Sequence, residues 1–232
     1  MIHAKNLYFR YDKGFVLKNV SLEIEDGSFT AIIGANGSGK TTLARHFNAL
    51  LLPTRGNVAI DGIDTRQDEL SARKKVGFVF QNFEDQIVYP TVLEDVSFGL
   101  ENLGIKNSGI KKTANETLDM LKIKSLANSN VNSLSSGQRQ LVALAGVLAM
   151  EPKYIVFDEP TTMLDAKNKK NILGIIRQLN KNDKITVVLI TNALEDLKYA
   201  GRVVLLKNGS IAFDGKKSGL NKKILKESGL CD

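Results

Sequence analysis

The chain has little that would build a metal centre, a disulfide framework or a membrane span. Its 232 residues include one cysteine and two histidines. Cys231 lies next to the last residue, where a reduced, unpaired thiol on a frayed tail is expected. No cysteine or histidine cluster has metal-ligand spacing. No apolar run approaches the ~18–20 residues that cross a bilayer. Met1 to Lys5 lack the apolar core of a signal peptide, so a cytoplasmic location is expected. There is no internal repeat and no low-complexity segment. The formal net charge is +7, with Lys167, Lys169, Lys170, Lys216, Lys217, Lys222 and Lys223 crowding the last third. Aromatic residues are not interleaved with these lysines. A solvated surface, or attraction to an anionic membrane, is therefore expected in place of a nucleic-acid face. A content of 43% hydrophobic and 25% charged residues fits a globular fold, and the length fits one large domain or one domain with an inserted subdomain.

Short β-branched and apolar runs alternate with helical spacing. Strands are predicted over 2–9, 20–24, 29–33, 58–60, 76–80, 154–157, 186–190, 203–206 and 211–213, with a loop at 12–14. Helices are predicted over 41–52, 166–180 and 220–227. From about Asp85 to Ala127 the β-branched runs give way to helical spacing, as in Thr117, Leu118 and Leu121. The pattern predicts an α/β fold: a mainly parallel sheet covered on both faces, with an inserted helical segment.

Two motifs carry chemistry. Gly34-Ala35-Asn36-Gly37-Ser38-Gly39-Lys40-Thr41 fits G-x-x-x-x-G-K-[ST], with a strand before it and a helix after. Glycines let successive backbone N–H groups face phosphate oxygens, and the helix N-terminus adds partial positive charge. Lys40 is expected on the β- and γ-phosphates, Thr41 on Mg²⁺ and Thr42 near the α-phosphate. Alone, this loop leaves GTPases, kinases and other ATPases open. The second motif is Tyr154-Ile155-Val156-Phe157 followed by Asp158 and Glu159, at the end of a buried parallel strand where such sheets place their ligands. Asp158 is expected to hold Mg²⁺ through water, and Glu159 to act as general base on the attacking water.

A third motif, Leu134-Ser135-Ser136-Gly137-Gln138, looks like the signature loop of an ABC-type ATPase. With all three in order, nearly the whole chain resembles the ATP-binding subunits of ABC transporters. The stretches 43–54, 81–88, 145–150 and 163–165 are similar to the ATPases of energy-coupling factor (ECF) transporters, which import vitamins and metal ions. The resemblance implies a P-loop ABC ATPase fold, with an N-terminal antiparallel β region, a helical insert over 82–133 and a short helical tail over 215–232. It implies ATP and Mg²⁺ as ligands. Tyr11 falls where an aromatic stacks on adenine, although a strand-end core aromatic explains it too. Gln81 matches the glutamine that senses Mg²⁺ and the γ-phosphate. Ser135, Gly137 and Gln138 would cap the γ-phosphate of a partner's ATP, and a helix N-cap reading of these residues is compatible with that. Asp165 matches an aspartate that crosses the dimer interface. The insert would dock on a transmembrane subunit, with Phe83, Ile87, Val88 and Tyr89 as groove residues; core packing explains these four as well.

The chain departs from the family pattern at three places. Asn192 follows Val187-Val188-Leu189-Ile190-Thr191, where the family has a switch histidine. Neither His3 nor His46 can substitute by position. Asparagine can donate a hydrogen bond to a γ-phosphate but cannot become cationic or relay a proton. Slow turnover at this chain's own site is expected. Ser136 replaces a glycine, with function expected to survive. The chain ends at Asp232, short of the C-terminal segment that helps hold many ECF ATPases together, which puts dimerisation without ATP in doubt. The expectation is a peripheral subunit on the cytoplasmic face of the membrane, paired with a second ATPase, a heterodimer being favoured over a homodimer. The rivals are an ATPase of another ABC transporter class, a regulatory, weakly hydrolysing partner, and a soluble ATPase of DNA repair or translation. The last carries long coiled-coil inserts or two ATPase halves, which this chain lacks, so no nucleic-acid partner is expected.

Overall fold

The computed structural model describes residues 1–12 and 14–230. Lys13, in the loop expected at 12–14, and the Cys231 thiol lie outside the described residues. In chain order the elements are β1 (Ile2–Phe9), β2 (Leu17–Ile24), β3 (Phe29–Ile33), α1 (Lys40–Phe47), β4 (Arg55–Ile60), β5 (Ile63–Asp64), α2 (Glu69–Lys75), β6 (Val76–Val79), α3 (Val92–Asn102), α4 (Asn107–Met120), α5 (Ser136–Ala149), β7 (Tyr154–Asp158), α6 (Ala166–Lys181), β8 (Thr186–Thr191), β9 (Arg202–Lys207), β10 (Ser210–Lys216) and α7 (Lys222–Glu227).

These strands form two sheets. One is antiparallel, in the order β2-β1-β4-β5, and the other runs β10-β9-β3-β8-β7-β6. In the larger sheet every pairing from β9 to β6 is parallel, and only the β9–β10 edge is antiparallel. Side chains alternate across its pleat. Ile155 and Phe157 of β7, with Val187 and Leu189 of β8, enter the core formed with α5, α6 and the insert helices. Tyr154 and Val156, with Val188 and Ile190, enter the opposite core with α1 and the antiparallel sheet. Burial on both faces explains why β3, β7 and β8 read as unbroken apolar runs.

The helix after β3 is shorter than the sequence predicted. It stops at Phe47 because Asn48 is its C-cap and Ala49 takes a left-handed φ of 56°; Pro53 is not the stop. The expected insert, residues 82–133, contains α3, α4 and three short 3-10 turns. Beyond β10 the chain makes a 3-10 turn at Lys217–Gly219 and then α7. No described helix is long and apolar enough to cross a membrane.

Candidate nucleotide site

Four neighbouring parallel strands end on one side of the larger sheet, and the residues just beyond each end meet. Asn36, Gly37, Gly39, Lys40, Thr41 and Thr42 follow β3, Gln81 follows β6, Glu159 follows β7 and Asn192 follows β8. Together with Val16 and Thr162 they line a cleft of about 480 Å³. Parallel sheets place ligands at this end because the loops there can diverge while the strands stay fixed.

The loop after β3 needs Gly34 for space. Gly34 has φ of +156°, and a Cβ there would lie 2.4 Å from the Leu206 carbonyl oxygen. α1 begins at Lys40 with no side chain capping it and no acidic residue in its first turn. Its N-terminal amides and partial positive charge therefore suit an anion. The Lys40 ammonium donates to the carbonyls of Gly34 (2.9 Å) and Ala35 (3.2 Å) and lies 3.9 Å from Glu159 Oε1. Burial pushes Lys40 below the usual lysine range, and the carboxylates of Glu159 and Asp158 oppose that shift. Ser38 Oγ is buried with no protein partner.

Thr41 Oγ1 donates to Asp158 Oδ1 at 2.9 Å. Burial raises the Asp158 carboxyl, the Thr41 hydrogen bond lowers it, and the neighbouring Glu159 charge raises it further. A buried carboxylate beside a second one gains most from a divalent cation. A hydroxyl and a carboxylate are the hard oxygen donors that Mg²⁺ takes, with water and phosphate completing its shell. The residues present therefore fit Mg²⁺ bound together with a nucleotide. Among the described residues no group of three or more His, Cys, Asp or Glu could hold a metal alone.

Glu159 sits at a left-handed φ of 48°, and its N–H donates to the Ile190 carbonyl at 3.0 Å. Its Oε2 accepts from Gln81 Nε2 (3.1 Å) and Thr162 Oγ1 (3.2 Å). On the other side of the cleft the Asn192 amide donates to Asn36 Oδ1 at 3.3 Å. Tyr11 is 55% exposed, its hydroxyl 3.4 Å from Thr42 Oγ1 and its ring edge-on to Phe9. It stands at the cleft's rim, not in the core.

Ser135, Gly137 and Gln138 do not line this cleft. Ser135 caps α5 in a capping box, with Gln138 N–H on Ser135 Oγ (3.3 Å) and Ser135 N–H on Gln138 Oε1 (2.9 Å). Gly137 packs so tightly on α6 that a Cβ would lie 2.8 Å from Asn168 Oδ1. Asp165 caps α6 through the N–H groups of Lys167 and Asn168. α5 is also tied to the loop after β6: Arg139 pairs with Glu84 at 2.6 Å, and Gln86 Nε2 donates to the Ala143 carbonyl at 3.0 Å.

A second cavity, of about 300 Å³, lies between the insert and the core and includes Leu70, Gln86, Val88, Phe98 and Met150 in its wall. Of the four groove residues expected from sequence only Val88 lines it, at 62% exposed. Phe83 is 4% exposed and Ile87 packs on the main core, so for these two the packing explanation holds. Leu70 was missed because α2, Glu-Leu-Ser-Ala-Arg-Lys-Lys, has too few apolar residues to show a helical stripe.

Residues 17–162 match the family described as ABC transporter. The energy-coupling factor transporter ATP-binding protein EcfA1 of Caldanaerobacter subterraneus subsp. tengcongensis is 44% identical over 99% of this chain and 86% of its own length. The cobalt import ATP-binding protein CbiO of Syntrophus aciditrophicus is 41% identical over 93% of this chain and 78% of its own. Among solved structures, the dimeric, post-hydrolysis ATP-binding cassette MJ0796 bound to ADP and Pi has a TM-score of 0.84 and 36% identity, covering 93% of this chain and 98% of that one. With its phosphate loop, paired carboxylates and capped signature helix on one α/β scaffold, the chain belongs to the ABC transporter ATPases, enzymes that bind and hydrolyse ATP to power transport.

Proposed function

We propose that this chain is an ATPase subunit of an energy-coupling factor importer for a vitamin or a transition-metal ion, and that it works in a pair with unequal sites. The observation that carries the reading is the cleft itself. It pairs a braced carboxylate, Glu159, with a neutral amide, Asn192, where the resemblance calls for a histidine.

Tyr11 stacks on the adenine. The amides of residues 34–39, together with Lys40 and Thr42, hold the phosphates. Thr41 and Asp158 hold Mg²⁺, with Gln81 sensing it; when bound, that ion neutralises charge on the β- and γ-phosphate oxygens. Glu159 accepts a proton from water as its oxygen bonds the γ-phosphorus and the bond to the β-phosphate oxygen breaks. Asn192 donates a neutral hydrogen bond to the γ-phosphate. Losing a charge-assisted contact there costs ~2–4 kcal/mol, roughly 30- to 1000-fold in rate.

Ser135, Gly137 and Gln138 complete a second ATPase's site. The Ser135 hydroxyl accepts from Gln138 N–H and, as a hydroxyl, still has a proton to donate. The cavity at Leu70, Val88, Phe98 and Met150 receives the membrane subunit on the cytoplasmic face. The ECF names and the cobalt importer among the relatives support the transporter class. The dimeric cassette supports pairing. A regulatory, weakly hydrolysing role is the second reading, favoured by Asn192.

Purification of the chain from membranes in mild detergent tests the class. The expected result is a stoichiometric complex with a second ATPase and a multi-span protein, one that takes up labelled cobalt or a vitamin when ATP is supplied. A complex that exports its substrate, or a chain that isolates only as a homodimer, would contradict the reading.

A further inference from the structure

Asp196 is a buried carboxylate that does not line the cleft. It is 0% exposed and lies in the 3-10 turn Leu194–Tyr199, just past Asn192. Its Oδ2 accepts from Thr161 Oγ1 (2.6 Å) and from Thr191 Oγ1 (2.9 Å). Its Oδ1 lies 3.1 Å from Lys169 Nζ, and Lys169 also pairs with Glu195.

These partners lie on the loops that carry Glu159 and Asn192, and on α6, without lining the cleft. Thr161 is two residues beyond Glu159, on the loop whose Thr162 bonds the Glu159 carboxylate. Thr191 immediately precedes Asn192, and its Oγ1 also accepts from Ala193 N–H at 3.0 Å. Asn192 is thus bracketed by a turn whose anchor is the Asp196 carboxylate. Lys169 lies near the start of α6, one turn beyond its cap Asp165, and its N–H bonds the Asp165 carbonyl at 2.9 Å.

An ion pair between a buried carboxylate and the half-buried Lys169 adds little net stability, because desolvation of the carboxylate offsets the attraction. What it supplies here is geometry: one rigid carboxylate sets the separation of two catalytic loops and links both to α6. We infer that Asp196, held by Lys169, is a positioning residue for ATP hydrolysis that keeps Asn192 and Glu159 in fixed relation to each other and to the Asp165 end of α6. This goes beyond the reading of Asn192 as a weak switch and does not depend on it, because the bracket would position an imidazole equally well.

The test uses the full chain, native and Asn192→His, and reads kcat, the KM for ATP, the Kd of a non-hydrolysable ATP analogue and Tm. In Asp196→Asn, which keeps size but loses charge, kcat is expected to fall ~10- to 100-fold, the cost of a misplacement on the order of 1 Å. KM and Kd should stay within about 2-fold, because the phosphate loop is untouched. Lys169→Met should lower kcat in the same direction, and Lys169→Arg, which restores the pair, should return it to within about 3-fold of native. Should Asp196→Asn fail to fold, Thr161→Val and Thr191→Val each remove one hydroxyl at constant shape and read the same split. A purely structural role predicts a lower Tm with native kcat per folded molecule, and that result overturns the proposal. So does a loss of kcat matched by an equal rise in KM and Kd. A native rate unchanged by Asn192→His would sink only the weak-switch reading.

Discussion

At the end of β7, Glu159 is buried and held by Gln81, Thr162 and, at longer range, Lys40. At the end of the adjacent strand β8, the Asn192 side chain is exposed and makes one 3.3 Å hydrogen bond, to Asn36, among the described residues. The strands are in register, with Asp158 opposite Ile190, so the difference lies in the side chains and not in the scaffold. A group fixed before substrate arrives costs nothing to orient in the transition state. A loosely held one must lose rotamer freedom when ATP binds. The Glu159 carboxylate, the proposed general base, is thus preorganised, whereas the Asn192 amide, proposed to stand in the switch position, depends on its ligand and on the backbone bracket beneath it.

The largest effect is expected at Glu159. Glu159→Gln keeps the shape and an oxygen for Gln81 but cannot accept a proton. Turnover is expected to drop ~10²- to 10⁴-fold with nucleotide binding retained, measured by steady-state ATPase assay beside nucleotide titration. Activity within a few-fold of native would place the base elsewhere.

His46 sharpens the contrast from below the phosphate loop. It is fully buried, Nδ1 2.7 Å from the Thr42 carbonyl and its ring edge-on to Phe9. Burial pushes its pKa down from an ordinary 6.5 to about 4, opposed by hydrogen bonds with the Thr42 and Leu52 backbone. Between those values the unfolded chain binds the proton and the folded one does not. His46 therefore lowers stability as pH falls from about 6.5 towards 4, by as much as ~3 kcal/mol. Chemical denaturation of His46→Leu should show a flatter decline over that window than native. Parallel declines would mean that the ring charges without cost, and that the floor of the loop is less rigid than its packing implies.

The smallest effect belongs to Asn36. Asn36→Ala removes the hydrogen bond that the Asn192 amide makes among the described residues, and turnover should change by less than about 2-fold, as expected for an exposed neutral bond. A ten-fold loss in the same ATPase assay would show that the tether preorganises the switch, and the contrast with Glu159 would fail.

The central sheet and the cleft were legible because their signals are local. Unbroken apolar runs gave β3, β7 and β8, and the residues directly after them are the ones that line the site. The antiparallel edge at β5 and the polar helix α2 left no periodic trace. The Asp196 cluster was invisible for another reason: Thr161, Lys169, Thr191 and Asp196 meet only through the crossover from β7 by way of α6 to β8. Read in sequence, Glu195-Asp196 looks like a solvated helix face. Phe83 and Ile87 show the same limit, since an apolar residue beside a motif serves equally as core or as docking surface until its neighbours are known.

We propose that Asn192 slows turnover at this chain's own site, where Glu159, Gln81 and the phosphate loop otherwise line one cleft. ATP turnover of the native chain and of Asn192→His, measured side by side under identical conditions, tests it most directly. A slow native rate that rises roughly 30-fold or more on substitution is predicted. A native chain that is already fast, with nothing added by the histidine, would contradict it.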